Sequence, residues 1–292
     1  MDASAQSHVS PNHIDALLPP QMAARAEQIG VAKAKIGLVK LFTLAVLAGS
    51  FIGLGAAFST TATTGLGGAP WGLVRLLAGG TFCLGLILVV VAGAELFTGN
   101  NLIVMAWAGG KVSFRAVLRN WVVVYLGNLA GSLATAGLVF YSGQYFFGDR
   151  AVGINALNIA NAKCAIEFFP GLALGVLCNA LVCLAVWLCY SARSVVDKIA
   201  AVVFPITAFV AAGFEHSVAN MYFIPLGLFI KLGAPAGFWA GLAQTPADWP
   251  HLTWQGFWLG NLLPVTIGNI IGGSLMVGLV YWFVYLRGAN RS

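Results

Sequence analysis

Two short strings hold the residues best suited to chemistry. The first reads Glu95-Leu96-Phe97-Thr98-Gly99-Asn100 and the second Glu215-His216-Ser217-Val218-Ala219-Asn220. Each sets an asparagine five residues after a glutamate, with a glycine, Gly93 or Gly213, two residues before it. A carboxylate accepts hydrogen bonds, and a histidine donates a hydrogen bond or a proton near neutral pH. His216 is the one histidine inside an apolar run, because His8, His13 and His251 fall in the leader or in a loop. A lone histidine is often no more than a satisfied core side chain. Its place beside an acid at a glycine-marked break favours a donor role instead. The Thr98 hydroxyl, in the first string, could approach the same point.

The elements around these strings are apolar. Of the 292 residues, 59% are hydrophobic and 8% charged, and the mean hydropathy is +0.87. Soluble domains carry roughly a quarter charged residues, so the chain is read as all-α and integral to a membrane. Stretches 41–74, 120–148, 168–192 and 249–286 lack Asp, Glu, Lys and Arg and exceed the ~20 residues a crossing helix needs. Stretches 76–110 and 199–230 are each interrupted by one acid, Glu95 or Glu215. Six spans follow, with the second and fifth broken. The domains are then a cytoplasmic arm (1–37), a membrane domain (38–287) and a short tail (288–292). The arm is polar and mixed, so no cleavable signal peptide is expected. Within it, Pro19-Pro20 precede a helical stretch over 21–29.

With the N-terminus inside, the inner segments hold 11 of the 15 Lys and Arg residues and the outer segments 4. That bias predicts cytoplasmic termini. The net charge of +6 does not signal nucleic acid, since the basic residues sit at the ends of apolar runs. The cysteines (83, 164, 178, 183, 189) show no metal-binding spacing and read as small buried side chains.

The strings also belong to a longer correspondence. Gly127-Asn128 through Leu133 follows the first break, and Gly268-Asn269 through Leu275 follows the second. Two halves of three spans in opposite orientations make an inverted repeat of the transporter type. A helix broken inside lipid is tolerated only where its freed backbone is buried in protein or lines a wet cavity. The freed N-termini favour anions. A pore for a small anion follows. Glu95 is then read as a loop-stabilising acceptor, together with Asn100, because a carboxylate facing the path would repel the anion. Phe82, Leu86, Leu96, Phe97 and Phe209 flank the breaks and could form water-excluding gates, although aromatic residues at helical spacing are more often packing. The four-apart pairs Gly49/Gly53, Gly127/Gly131 and Gly268/Gly272 predict close helix contact.

The strings ATTG (62–65), ELFTGN (95–100), NALVCLAVW (179–187), GFEHSVANMYFIP (213–225) and NLLPVTIGNIIGG (261–273) closely resemble the formate/nitrite transporter family, bacterial formate channels in particular. The resemblance runs from about Leu17 to Arg287. It implies an aquaporin-like six-helix bundle, a homopentamer in membrane lipid, and one pore per protomer passing formate in a pH-dependent way. An aquaporin proper is excluded, as neither break contains Asn-Pro-Ala. Carried onto this chain, the family pattern puts His216, Thr98 and Asn269 at the pore centre. It puts Lys163, Glu215, Asn179 and Asn220 in a polar relay, and the five apolar residues above in constrictions. Position alone puts Lys163 in an outer loop. Glu95 stands where these channels often carry Asp. The family also suggests a pH-gating leader, against the alternative of a solvated arm whose obvious titrating groups are His8 and His13.

Other anion readings remain open. Nitrite matches formate in size and charge, and lactate, acetate or hydrosulfide are further candidates. A membrane enzyme or haem subunit would need paired intramembrane histidines, so neither enzymatic activity nor a cofactor is expected. A pure scaffold is disfavoured by two costly breaks.

Overall fold

A computed structural model describes residues 16–288, so His8 and His13 lie outside the described residues. The described chain is helical, without strands. We number its helices α1 (Pro19–Ala34), α2 (Leu38–Ala62), α3 (Trp71–Gly93), α4 (Phe97–Asn100), α5 (Val104–Ala108), α6 (Phe114–Tyr141), α7 (Ala151–Cys164), α8 (Phe168–Ser191), α9 (Val195–Ala211), α10 (Ser217–Gly233), α11 (Ala236–Trp239) and α12 (Gly256–Tyr285). Among the described residues α2, α3, α6, α8 and α12 are long and apolar enough to cross a membrane. The remaining apolar run is divided between α9 and α10, 17 residues each.

Local chemistry sets several of these boundaries. Pro19 and Pro20 begin α1 where a missing N–H costs nothing. Ser194 and Asp197 form a reciprocal capping box that opens α9. Ser113 accepts the Ala116 N–H at the start of α6.

The core comes from helices packed backbone to backbone. A Cβ added at Gly131 of α6 would lie 2.0 Å from the Val46 carbonyl, and one at Gly49 of α2 would lie 2.1 Å from that of Asn128. The second half repeats this between α12 and α8. There a Cβ at Gly272 would lie 2.1 Å from the Val176 carbonyl, and one at Gly268 would lie 2.2 Å from that of Leu172. Only hydrogen fits at these positions, so the small-residue spacing marks true helix crossings. Gly131→Ala is therefore expected to cost about 1–3 kcal/mol of stability, read as a lowered thermal midpoint of the purified protein in detergent. An unchanged midpoint would show that α2 and α6 separate freely.

α2–α6 and α8–α12 are related pseudo-symmetrically, and the relation reaches further than three spans per half. α1 precedes the first set as α7 precedes the second, at opposite faces of the bundle. The sequence reading left α1 in a soluble arm and stopped it at residue 29. Instead it runs to Ala34 and buries Met22, Ala23 and Ala26 against Met105 and Trp187. Its acid Glu27, 5% exposed, pairs with Lys111 at 2.5 Å and so ties α1 to the turn before α6.

Candidate functional site

Both breaks are built by the same backbone device. Gly93 (φ 83°) and Gly213 (φ 79°) adopt left-handed conformations, which end the preceding helix where a side chain would be strained. The next residues run extended, and a new helix starts at Phe97 or Ser217. Each loop is stitched to a neighbouring helix by an asparagine. Asn128 accepts the Phe97 N–H (2.9 Å) and donates to the carbonyls of Ala45 (2.8 Å) and Glu95 (2.9 Å). Asn269 accepts the Ser217 N–H (2.9 Å) and donates to Gly175 (2.8 Å) and Glu215 (3.0 Å). Each amide thus bonds through both ends to loop or helix backbone and braces the break. The family pattern set Asn269 near the pore centre as a polar group. In the structure it is already engaged with backbone on three bonds.

The acids are held by a second matched set. The Glu95 carboxylate accepts from Lys33 Nζ (2.7 Å) and Asn100 Nδ2 (2.7 Å), and Asn100 Nδ2 also reaches Asn120 Oδ1 (2.9 Å). Asn120 returns a bond to the Lys33 carbonyl (3.2 Å). In the other half Glu215 accepts from Lys163 Nζ (2.8 Å), Asn220 Nδ2 (2.7 Å) and Asn261 Nδ2 (3.2 Å). Asn261 bonds in turn to the Lys163 carbonyl (2.9 Å). A buried carboxylate needs a cation and donors to remain ionised, and each acid has both. Lys163 is therefore not in a loop. It lies in the last turn of α7, with its ammonium 5.4 Å from the Phe223 ring centre.

The sequence reading gives Lys33, Asn120 and Asn261 no role at the site. A signal for them exists in the sequence. Ala32-Lys33-x-x-Ile36 matches Ala162-Lys163-x-x-Ile166, and Asn120 and Asn261 each stand eight residues before a bracing asparagine.

Between the two breaks Thr98 Oγ1 and His216 Nε2 lie 2.9 Å apart, both fully or nearly buried. His216 is the N-cap of α10, its Nδ1 accepting the Ala219 N–H at 3.0 Å. Because Nδ1 receives a proton donor, the neutral ring carries its own proton on Nε2 and donates it to Thr98. The Phe209 ring is stacked 5.9 Å from the imidazole.

Two cavities approach this pair. One, about 470 Å³, lies on the α7 face and is bounded by Arg75, Phe82, Lys163, Phe209, His216 and Phe223. The other, about 370 Å³, lies on the α1 face and includes Arg25, Lys33, Leu86, Glu95, Leu96 and Lys198. No residue lines both. Phe82 and Leu86 are successive turns of α3, so the apolar partition between them is ~6 Å deep on that helix. Phe97 lines neither cavity. Its ring packs edge-on against Tyr125 (4.9 Å) and Trp121 (6.3 Å), which is the packing alternative. Asn179 does not touch the Lys163–Glu215 pair either. It donates to the Thr98 carbonyl (3.2 Å), Asn101 Oδ1 (2.9 Å) and the Asn269 carbonyl (2.7 Å), linking the two halves beneath the threonine. The five cysteines are buried and unpaired.

Apolar helices with paired breaks, and a cavity entering from each face, define a membrane transport protein. The chain belongs to the formate/nitrite transporter family, whose family model matches residues 20–283. It is 48% identical to the formate channel FocA of Escherichia coli (strain K12) over 276 residues, covering 94% of this chain and 97% of the relative. It is 40% identical to the formate channel FocA of Haemophilus influenzae over 264 residues, 90% of this chain and 93% of the relative. The fold is similar to that of a pentameric formate channel solved with formate bound. The TM-score is 0.82 at 44% identity, with 86% of this chain and 98% of that one covered.

Proposed function

We propose that this chain is a formate channel of the bacterial inner membrane, passive and pH-dependent, with one path in each protomer of a homopentamer. The observation that carries the reading is the Thr98–His216 bond, set at two helix N-termini between the cavities. The relatives' names supply the anion, and the charge of the cavities agrees with it. The excess of basic residues on one side favours the α1 face as cytoplasmic. We take the protein for a transporter without enzymatic chemistry.

A formate ion entering either cavity meets a lysine ammonium, Lys33 or Lys163, that is partnered to glutamate. Crossing the Phe82–Leu86 partition as a bare anion costs several kcal/mol of lost hydration. One carboxylate oxygen can replace Thr98 as acceptor of the His216 Nε2 proton, and the Thr98 hydroxyl can turn to donate to the other oxygen. The two α-helical N-termini stabilise the same charge. His216 acts here as a hydrogen-bond donor. Its neutral ring cannot surrender the Nε2 proton cheaply, and protonation at Nδ1 would displace the Ala219 N–H. A proton that accompanies formate therefore comes from solvent or from formic acid itself. The dependence on pH enters through that step.

The test is formate uptake by liposomes containing the purified protein. Saturable flux above protein-free liposomes is expected, with nitrite competing more strongly than acetate or lactate because it is nearer in size. Hydrosulfide completes the ranking. Flux no greater than that of empty liposomes would overturn the assignment, and a clear preference for nitrite would reassign the substrate.

A further inference from the structure

The α7-face cavity contains a cation that the description of the breaks leaves unused. Arg75, at the start of the second turn of α3, reaches across to the carboxyl end of α9. Its Nε donates to the Ala211 carbonyl at 3.1 Å, and Nη2 donates to the Val210 carbonyl. These carbonyls belong to the last turn before Gly213; that of Val210 also accepts the Gly213 N–H at 3.1 Å, and that of Ala211 receives no backbone donor among the described residues. The negative end of the α9 dipole therefore lies in the wall of a cavity that an anion must cross to reach His216. Glu215, which bounds the same cavity, adds an acid. Its charge is balanced by Lys163, but nothing in that pair offsets the helix end.

We propose that Arg75 is the positioning and charge-balancing residue for anion entry from the α7 face: it caps α9 and turns an electronegative wall into one that admits formate. The two donors committed to Val210 and Ala211 fix the guanidinium plane, the Trp71 ring centre lies 5.8 Å from it, and Nη1 makes no hydrogen bond among the described residues. The positive charge is thus held rigidly at the cavity wall. The other half offers a related cation rather than an exact counterpart, since the 120-residue offset between the breaks puts Val195 opposite Arg75 and Lys198 nearly one turn further on. Lys198, in the first turn of α9, lines the α1-face cavity beside Gly93 and Ala94, at the carboxyl end of α3. A cation near the start of each broken span accompanies the carboxyl end of the other. Of the two, Arg75 alone makes side-chain hydrogen bonds there among the described residues, so the two entrances differ in how firmly the charge is placed.

The inference rests on formate being the transported anion, and the experiment separates the two claims. Wild-type, R75Q and R75K proteins are reconstituted, and the half-saturating formate concentration for entry from the α7 face is measured in low salt and in an impermeant salt near 0.5 M. For R75Q a rise of about five-fold is expected in low salt, shrinking toward wild type in high salt, as for the loss of one unit charge near the path. R75K keeps the charge and is expected to restore the salt dependence. A purely structural cap would give a defect in R75Q that is independent of salt, and that result would overturn the proposal. So would an R75Q curve matching wild type at low salt. Absence of formate flux in the wild-type protein would instead sink the transport reading itself.

Discussion

Lys163→Met is expected to lower the stability of the protein by about 3–5 kcal/mol, because it leaves the Glu215 carboxylate buried without its cation. The Glu215 side chain is 5% exposed and the Lys163 side chain 17%, so water compensates poorly for the lost partner. The double variant Lys163→Met/Glu215→Gln removes both charges and should recover most of the loss, since a neutral amide can still bond to the Asn220 and Asn261 side chains. Lys33→Met is expected to be milder. Its pair with Glu95 is more open, with side chains 25% and 9% exposed. Thermal unfolding of the detergent-purified variants, followed by tryptophan fluorescence, orders the three. If the single Lys163 variant unfolds with the wild type, the ion pair is not what stabilises the second break.

His216→Asn should reduce formate flux by about 10–100-fold, the cost of losing a charge-assisted hydrogen bond worth about 1.5–3 kcal/mol. Asparagine is among the best N-cap residues, so the bond from Ala219 N–H to residue 216 survives while the shorter side chain withdraws from Thr98. His216→Ala removes cap and donor together and should lose an additional ~1 kcal/mol of stability. Comparing the two variants isolates transport from folding. Uptake by His216→Asn liposomes that equals wild type at every pH would remove the histidine from the mechanism.

The particular residues show how far each level of description reaches. The apolar runs, the placement of Glu95 and Glu215 within two of them, and the glycines that end α3 and α9 are local features. They are legible because the bilayer sets a length for each crossing and because a left-handed backbone demands glycine. The small-residue pairs are equally local, and they mark the crossings of α2 with α6 and of α8 with α12. His216 stood out for its company in the chain.

Other assignments depended on which parts of the chain return to the same place. Lys33 lies 62 residues before Glu95, and Lys163 lies 52 before Glu215. A lysine near the end of a hydrophobic run reads from sequence as an interfacial charge, and only the inward packing of α1 and α7 makes it a partner of a buried acid. Phe97 carries the same apolar signal as Leu96. Rotation about the new helix sends its ring to Tyr125 and Trp121, while Leu96 faces the cavity. Asn179 and Asn269 were visible as polar groups in apolar helices, but their backbone partners are long-range.

Spacing along the chain thus determined by itself that the protein crosses a membrane, where two of its helices break, and that the halves repeat. Tertiary structure alone decided which cation balances each acid, which aromatic side chains line a cavity, and that Arg75 meets the end of α9. The physical reason is that burial length and backbone conformation are properties of consecutive residues, whereas Coulombic and hydrogen-bond partners are chosen by proximity in space.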